Sequence, residues 1–398
     1  MEIKRAIFEE LKNEIDQKYV SILVGPRQVG KTFLLRKIEA ECRRRRLKTR
    51  FYNLEDPRDL RAFAGSDEEV IERLSERDTV ILLDEFHYLK NATKILKILY
   101  DRDENLKVFA SGSSSMEIHK HLRESLAGRY RLTKIYPLFY KENRQVKGYR
   151  LEDYLRFGGL PGLIHEEKTE SKMALLKNVL EAYLLKDIKA LIREENIRAY
   201  NHLLYSLAQN EGSIVSVASL AREVGLSEPA IKYHLELMAQ TYVCFPLESY
   251  SKNLSNELKK VKKYYLYDAG IRNSLLNDFS ASRIRPDKGA LLESFVFLSI
   301  IKQLKANMEV KFWRTRQGDE VDFVLLKDRI PVPMEVKFKA ANLDIPSGIR
   351  KFLGRYKEAP YGIVVSFGVT GEAAFDDRLV KFIPPEEAET LDYLATVD

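Results

Sequence analysis

The sequence predicts a multi-domain α/β protein, in which a parallel-sheet domain is followed by a helical segment, a winged helix and a second α/β domain. Three observations carry this. Ser21-Ile-Leu-Val-Gly-Pro-Arg-Gln-Val-Gly-Lys-Thr-Phe-Leu-Leu35 is an apolar run, a GxxxxGKT loop and a resumed helical pattern. Residues 198–240 hold three helix-patterned stretches at helix-turn-helix spacing, with β-rich runs after them. Beyond residue 289, a buried-looking helix with one carboxylate precedes two strand-like runs carrying Asp322, Glu335 and Lys337. At 398 residues the chain exceeds one comfortable core. The motifs place boundaries at 1–145, 146–196, 197–268 and 269–390.

The GxxxxGKT loop calls for bound phosphate. Its geometry needs backbone amides turned toward an anion: Gly25 and Gly30 permit the tight turn, and the following helix adds about half a positive charge at its N-terminus. Gly25, Pro26, Arg27, Gln28, Val29, Gly30, Lys31, Thr32 and Phe33 are therefore the expected nucleotide-binding residues. Lys31 would neutralise the β- and γ-phosphates, and Thr32 would hold Mg2+, so ATP with Mg2+ is the expected cofactor and ATP and ADP the expected ligands.

Four more apolar runs can extend the sheet, at residues 50–53, 79–83, 107–110 and 130–135. The second ends in Asp84-Glu85, at the carboxyl edge of a buried strand where ligands bind in open α/β sheets. Asp84 would hold the metal and Glu85 would act as general base toward an attacking water. Ser111-Gly-Ser-Ser-Ser115 follows the next strand, so Ser111 or Ser113 could sense the γ-phosphate; a serine-rich turn capping a helix is the competing reading. Arg129 is either a finger stabilising phosphoryl transfer, in cis or from a neighbouring subunit, or a solvated arginine. Action in trans would make the protein a homo-oligomer. Arg43 to Arg46 read as the solvated end of the helix after the loop.

Gly158-Gly-Leu-Pro-Gly162 interrupts a helical pattern that would form a lid beside the nucleotide. In the helix-turn-helix segment, Gly225-Leu226 forms the turn and Ser227 caps the third helix. Glu228, Lys232, Tyr233, His234 and Glu236 on that helix are a mixed set that suits base readout poorly. Basic charge gathers instead in the wing, where Lys252, Lys259, Lys260, Lys262 and Lys263, with Lys232, would contact DNA phosphates in a sequence-tolerant and salt-sensitive manner. A wing packed on another domain, with solvated lysines, is the alternative.

Period two on a strand sets Glu335 and Lys337 on one face, beside Asp322 if the two strands pair, and sets Val321, Phe323, Met334, Val336 and Phe338 on the other. With Glu293 from the preceding helix, Asp322 and Glu335 could hold Mg2+ through oxygen ligands while Lys337 orients a water or steadies a phosphodiester transition state.

Composition excludes several classes. The balance of 66 Lys and Arg against 59 Asp and Glu gives a net charge of +7, which favours acidic partners without requiring nucleic acid. Two cysteines, Cys42 and Cys244, cannot build a disulfide framework or a zinc knuckle. The longest apolar stretch, residues 295–301, falls far short of the ~20 residues of a membrane span. A soluble, cytoplasmic chain without a membrane partner is expected.

GPRQVGKT, VILLDEFHYL, ASGSSS, ESLAGRYRLTKIYPLF and YLRFGGLPGLI, taken in order, resemble a family of archaeal and bacterial AAA-type ATPases with a C-terminal domain of unknown function. The resemblance continues through YLLKDIKALI and YYLYDAGIRNSLL, over nearly the whole chain. It implies an ATPase core of the additional-strand type, with Lys31, Thr32, Asp84, Glu85 and Ser111 or Ser113 on the motif positions, and it assigns no firm role to Arg27 or Arg129. The helix with Glu293, then Asp322, then Glu335-x-Lys337 resembles the PD-(D/E)xK nuclease superfamily, which implies a restriction-endonuclease-like C-terminal domain that either cleaves DNA or has lost catalysis and binds DNA or a protein partner.

Overall fold

The computed structural model describes residues 2–89, 91–102, 105–113, 126–182, 197–251 and 261–390; the side chain of Ser113 and residues Lys252, Lys259 and Lys260 lie outside that description. The chain forms two compact units, residues 1–138 with 236–243, and residues 139–235 with 244–398.

The first unit is built on a parallel five-stranded sheet. Its strands are β1 (Val20–Gly25), β2 (Lys48–Asn53), β3 (Thr79–Asp84), β4 (Lys107–Ser113) and β5 (Tyr130–Lys134), in the order β2-β3-β4-β1-β5. β1 and β3 are buried along their whole length, which is why they read as unbroken apolar runs rather than alternating ones. β4 inserts between the phosphate-loop strand and the Asp84 strand, the additional-strand arrangement. The helix Lys31–Arg44 lays Leu34, Leu35, Ile38 and Cys42 on the sheet at helical spacing. Because all five strands run the same way, the carboxyl ends of β1, β3 and β4 bring Gly25, Asp84 and Ser111 to one edge.

The opposite edge holds a buried lysine. Lys107 Nζ donates to Tyr19 O at 2.7 Å and Ser21 Oγ at 2.8 Å, and burial pushes its pKa down to about 7, against the attraction of Glu14. The folded chain thus releases a proton that the unfolded chain keeps until the ordinary lysine range. Stability must therefore rise with pH between about 7 and that range. Urea unfolding at pH 7 and 9 should show this rise in the wild type and a smaller one in Lys107→Met.

In the second unit the helices Ile197–Gln209, Val217–Val224 and the start of Glu228–Gln240 are joined by a three-stranded antiparallel sheet in the order β6-β8-β7, where β6 is Ile214–Val215, β7 Cys244–Leu247 and β8 Lys262–Leu266. This order of helices and strands is the one expected of a winged helix. Gly225 closes the second helix in a left-handed conformation, and Ser227 Oγ accepts the Ala230 amide at 3.4 Å.

The segment expected to form a lid consists of helices Leu151–Phe157 and Thr169–Ala182, separated at Gly158. It is tied within the second unit to helix Ala269–Leu276. Asn273 Nδ2 donates to Leu155 O and Arg156 O, both at 2.9 Å, and buried Asp268 accepts the Gly159, Gly270 and Ile271 amides.

Six strands form the C-terminal sheet: β9 (Met308–Arg314), β10 (Glu320–Lys327), β11 (Ile330–Lys339), β12 (Tyr361–Phe367), β13 (Gly371–Phe375) and β14 (Arg378–Ile383), ordered β13-β14-β12-β11-β10-β9. β12 runs parallel to β11 and β14, and the other pairs are antiparallel. Asp328 and Arg329, both with positive φ, make the two-residue β10–β11 turn. The helix Lys288–Ile301 packs Leu292, Phe295 and Val296 with Phe323, Met334 and Val336, while helix Ser347–Arg355 packs Ile349, Phe352 and Leu353 with Val321, Val324 and Val364. Val321 and Phe323 were expected on one face but join different cores. A break in the β9–β10 register between Val321 and Val324 shifts the alternation.

Candidate functional site

Gly25, at φ +154°, is the point where β1 leaves the sheet. A Cβ here would stand 2.1 Å from Ile135 O, so a side chain would force the backbone after β5 to move. Gly30, at φ +88°, precedes helix Lys31–Arg44, which has no side-chain cap and no acidic residue in its first turn. Its first amides therefore keep their capacity to bind an anion. Lys31 is buried, and Nζ donates to Gly25 O at 3.0 Å and Pro26 O at 2.9 Å, folded back over the loop it would leave to meet a phosphate. Val29 is buried, whereas Gln28, Thr32 and Phe33 are exposed.

Arg5, a residue that the motif gave no reason to single out, braces this loop. Its guanidinium donates to Val29 O at 2.6 Å and Tyr136 O at 2.7 Å, holding the loop to the chain that follows β5. Nothing in local sequence marks it, since the contact spans 24 and 131 residues.

Asp84 is 2% exposed and its carboxylate accepts a short hydrogen bond from Ser111 Oγ, while the Glu85 amide donates to the same hydroxyl at 3.4 Å. Ser111 is fully buried. Its hydroxyl bonds both Asp84 and Glu85 across the β3–β4 pair. Glu85 takes a left-handed backbone conformation, φ +54°, of a kind that non-glycine residues keep at functional turns. Its Oε2 lies 3.3 Å from His87 Nδ1, an ion pair when His87 is protonated. His87 was visible in VILLDEFHYL but carried no signal of that contact. Thr32 and Asp84 are the hard oxygen donors that Mg2+ prefers, so this donor set fits a magnesium–triphosphate.

Arg129 lies elsewhere. It immediately precedes β5, whose first residue pairs with the first residue of β1, so it sits at the amino edge of the sheet, a strand length of about 17 Å from the phosphate loop. Its Nε donates to Asp101 Oδ1 at 2.8 Å. A finger acting in cis is thereby corrected.

The wing lysines also divide. Lys232 is exposed on the third helix, and Lys262 pairs with Glu248 at 3.0 Å. Lys263, expected to face DNA, is 2% exposed and points inward: its Nζ lies 2.7 Å from Glu320 Oε1 and 3.3 Å from Glu293 Oε1. Alternation along β8 explains this, because Lys263 shares the buried face with Tyr265 while Lys262 and Tyr264 do not. His234 is buried, edge-on to Tyr200 at 5.7 Å.

The C-terminal carboxylates are each engaged by the chain. Glu293 accepts from Tyr265 Oη at 2.6 Å, Asp322 from the Val336 amide at 2.8 Å and Glu335 from Lys337 Nζ at 2.7 Å. Burial, reinforced by Asp322, pushes Glu293 up to about 8 and Glu335 up to about 7. Among the described residues no three His, Cys, Asp or Glu side chains come together in a set that could hold a metal ion. Glu293, Asp322 and Glu335 were expected to be metal ligands with Lys337 beside them; as placed, they do not fit a divalent cation.

Three family models match successive parts of the chain. Residues 17–143 match the AAA domain family, residues 148–282 a domain of unknown function (DUF8612) and residues 288–384 another (DUF4143). An uncharacterized protein of Methanocaldococcus jannaschii is 27% identical over 81% of this chain and 75% of its own length. One of Mycobacterium tuberculosis is 26% identical over 84% and 74%. Among solved structures, AMPPCP-bound DnaA from Aquifex aeolicus overlaps 58% of this chain and 84% of its own, at 14% identity and a TM-score of 0.32, and DnaA bound to AMPPCP and single-stranded DNA overlaps 59% and 88%, at 16% and 0.33. An AAA domain implies nucleotide binding, typically as Mg-ATP, and the chain is P-loop ATPase-like. No described helix is long and apolar enough to cross a membrane.

Proposed function

We propose that the protein is a magnesium-dependent ATPase whose nucleotide state controls the engagement of its winged helix with DNA. The observation that carries the enzymatic half is the convergence of Gly25, Asp84 and Ser111 at one sheet edge, with Glu85 next in the chain. In this reading the loop amides and Lys31 bind the triphosphate, and Thr32 and Asp84 hold its magnesium, which supplies charge neutralisation at the phosphates. Glu85 takes the proton of the attacking water. Ser111 keeps Asp84 in place, and Arg5 keeps the loop from opening.

The DNA half rests on winged-helix topology, on Lys232 and Tyr233 exposed on its third helix, and on the lysine-rich 252–260 segment. Binding of this kind is dominated by phosphate contacts. Anisotropy titrations with duplex and single-stranded DNA at 50 and 200 mM salt should give an affinity that falls steeply with salt, and Lys232→Glu should weaken both substrates alike, lowering the salt slope by about 1. No affinity for either DNA at low salt would replace DNA with a protein partner. The C-terminal domain favours that outcome as far as cleavage is concerned, because its acidic residues are already paired and the fold would serve for docking.

A further inference from the structure

Residues two apart on a helix do not face each other, yet the side chains of Glu85 and His87 meet. Glu85, at φ +54°, opens the single turn Phe86–Tyr88, in which the Tyr88 amide donates to Glu85 O and the Leu89 amide to Phe86 O, both at 3.1 Å. Phe86, buried at 1% exposure, anchors that turn. The left-handed backbone of Glu85 lets its carboxylate reach the imidazole, with 3.3 Å between Oε2 and His87 Nδ1. The imidazole lies against the ring of Tyr88, their centroids 4.5 Å apart and their planes tilted by 33°.

Two features make this contact more than packing. His87 Nδ1 is sealed from solvent and makes no completed hydrogen bond among the described residues, so a hydrogen on it has the Glu85 carboxylate to turn to. The two side chains as wholes are 23% and 21% exposed, so water reaches the pair although it does not reach the nitrogen. A buried donor without a partner is costly, and hydrogen bonds to a catalytic base commonly stand long until the reactants are in place. We propose that His87 is a positioning residue for Glu85, its Nδ1–H fixing Oε2 so that Oε1 receives the proton of the attacking water. That proton moves as the water oxygen bonds to the γ-phosphorus and the bond from phosphorus to the oxygen of the leaving ADP breaks. The inference deepens the assignment of Glu85 as general base and rests on it. Metal ligand and base are then set by separate partners: the Asp84 side chain is held by Ser111 from β4, that of Glu85 by His87 from its own turn.

The test is phosphate release over a range of Mg-ATP concentrations by full-length wild type, His87→Phe, His87→Asn and Glu85→Gln. Asn can set an amide N–H where the Nδ1–H stood, whereas Phe keeps a ring against Tyr88 and has no donor. His87→Phe should lower kcat roughly 10- to 100-fold while KM moves less than about twofold, and His87→Asn should recover most of that loss. Added to Glu85→Gln, His87→Phe should cost little more, because the group it positions is already gone. Wild-type kcat in His87→Phe beside a Glu85→Gln chain that has lost turnover would overturn the positioning role alone. Equal losses in His87→Phe and His87→Asn would overturn it as well. Turnover unchanged in Glu85→Gln, or absent from the wild type, would overturn the general-base reading and this inference with it. If His87→Phe does not fold, His87→Ala takes its place, and the same outcomes decide.

Discussion

Glu85→Gln should lower ATP turnover by roughly 100- to 10,000-fold, the range set by losing a general base, while leaving ATP affinity nearly intact. The split follows from position. The groups expected to meet the triphosphate are the loop amides and Lys31, which come from the segment between β1 and the helix Lys31–Arg44, whereas Glu85 follows β3. The amide of Glu85 carries its bond to Ser111, and Gln retains that amide. Its left-handed backbone is preserved too, since Gln has the same Cβ and the same length. Binding of a fluorescent ATP analogue, measured beside phosphate release, separates the two effects. Loss of affinity in step with turnover would place Glu85 in binding instead.

Arg272→Ala should destabilise the second unit by about 3–5 kcal/mol, the cost of leaving buried charges without their partner. Arg272 is fully buried, with Nε 2.7 Å from Glu211 Oε2 and Nη1 2.7 Å from Asp287 Oδ2. Glu211 in turn accepts the Leu266 amide at 2.7 Å, so the guanidinium links the end of the first winged-helix helix and β8 to the loop before helix Lys288–Ile301. A melting temperature lower by roughly 10 °C is expected. The deficit must also depend on pH. Burial already raises Glu211 to about 7, against the pull of Arg272, and removal of the arginine raises it further. The folded variant then keeps a proton that the unfolded chain gives up near the ordinary carboxylate range, so stability falls as pH rises through the folded pKa. The deficit should be larger at pH 8 than at pH 6, and Glu211→Gln in the same chain should flatten that difference.

Features carried by short-range pattern were legible in the sequence. The loop after β1, the buried run ending at Asp84 and the three winged-helix helices each depend on spacing within about a dozen residues, and each lies where its pattern puts it. What failed depends on tertiary placement. Arg129 follows a Gly and precedes a strand, but which edge it occupies is decided by strand direction, and that edge is the wrong one for the phosphates. Ser111 was read as following its strand, and nothing local shows that β4 runs between β1 and β3 and buries its end. Lys263 belongs to a lysine-rich run that composition makes a DNA face. Alternation could have flagged one lysine of Lys262-Lys263 as inward, but the carboxylates awaiting it lie 30 and 57 residues on. The β9–β10 register break parts Val321 from Phe323 without any glycine or proline to announce it.

The most direct measurement is steady-state phosphate release from Mg-ATP by purified wild-type protein beside Lys31→Ala. Lys31 Nζ donates to the loop carbonyls of Gly25 and Pro26, and its loss removes the ammonium expected to meet the phosphates. The prediction is turnover by the wild type and background release by the variant. Equal release from both, or none from either while ATP is bound, would contradict hydrolysis at this loop.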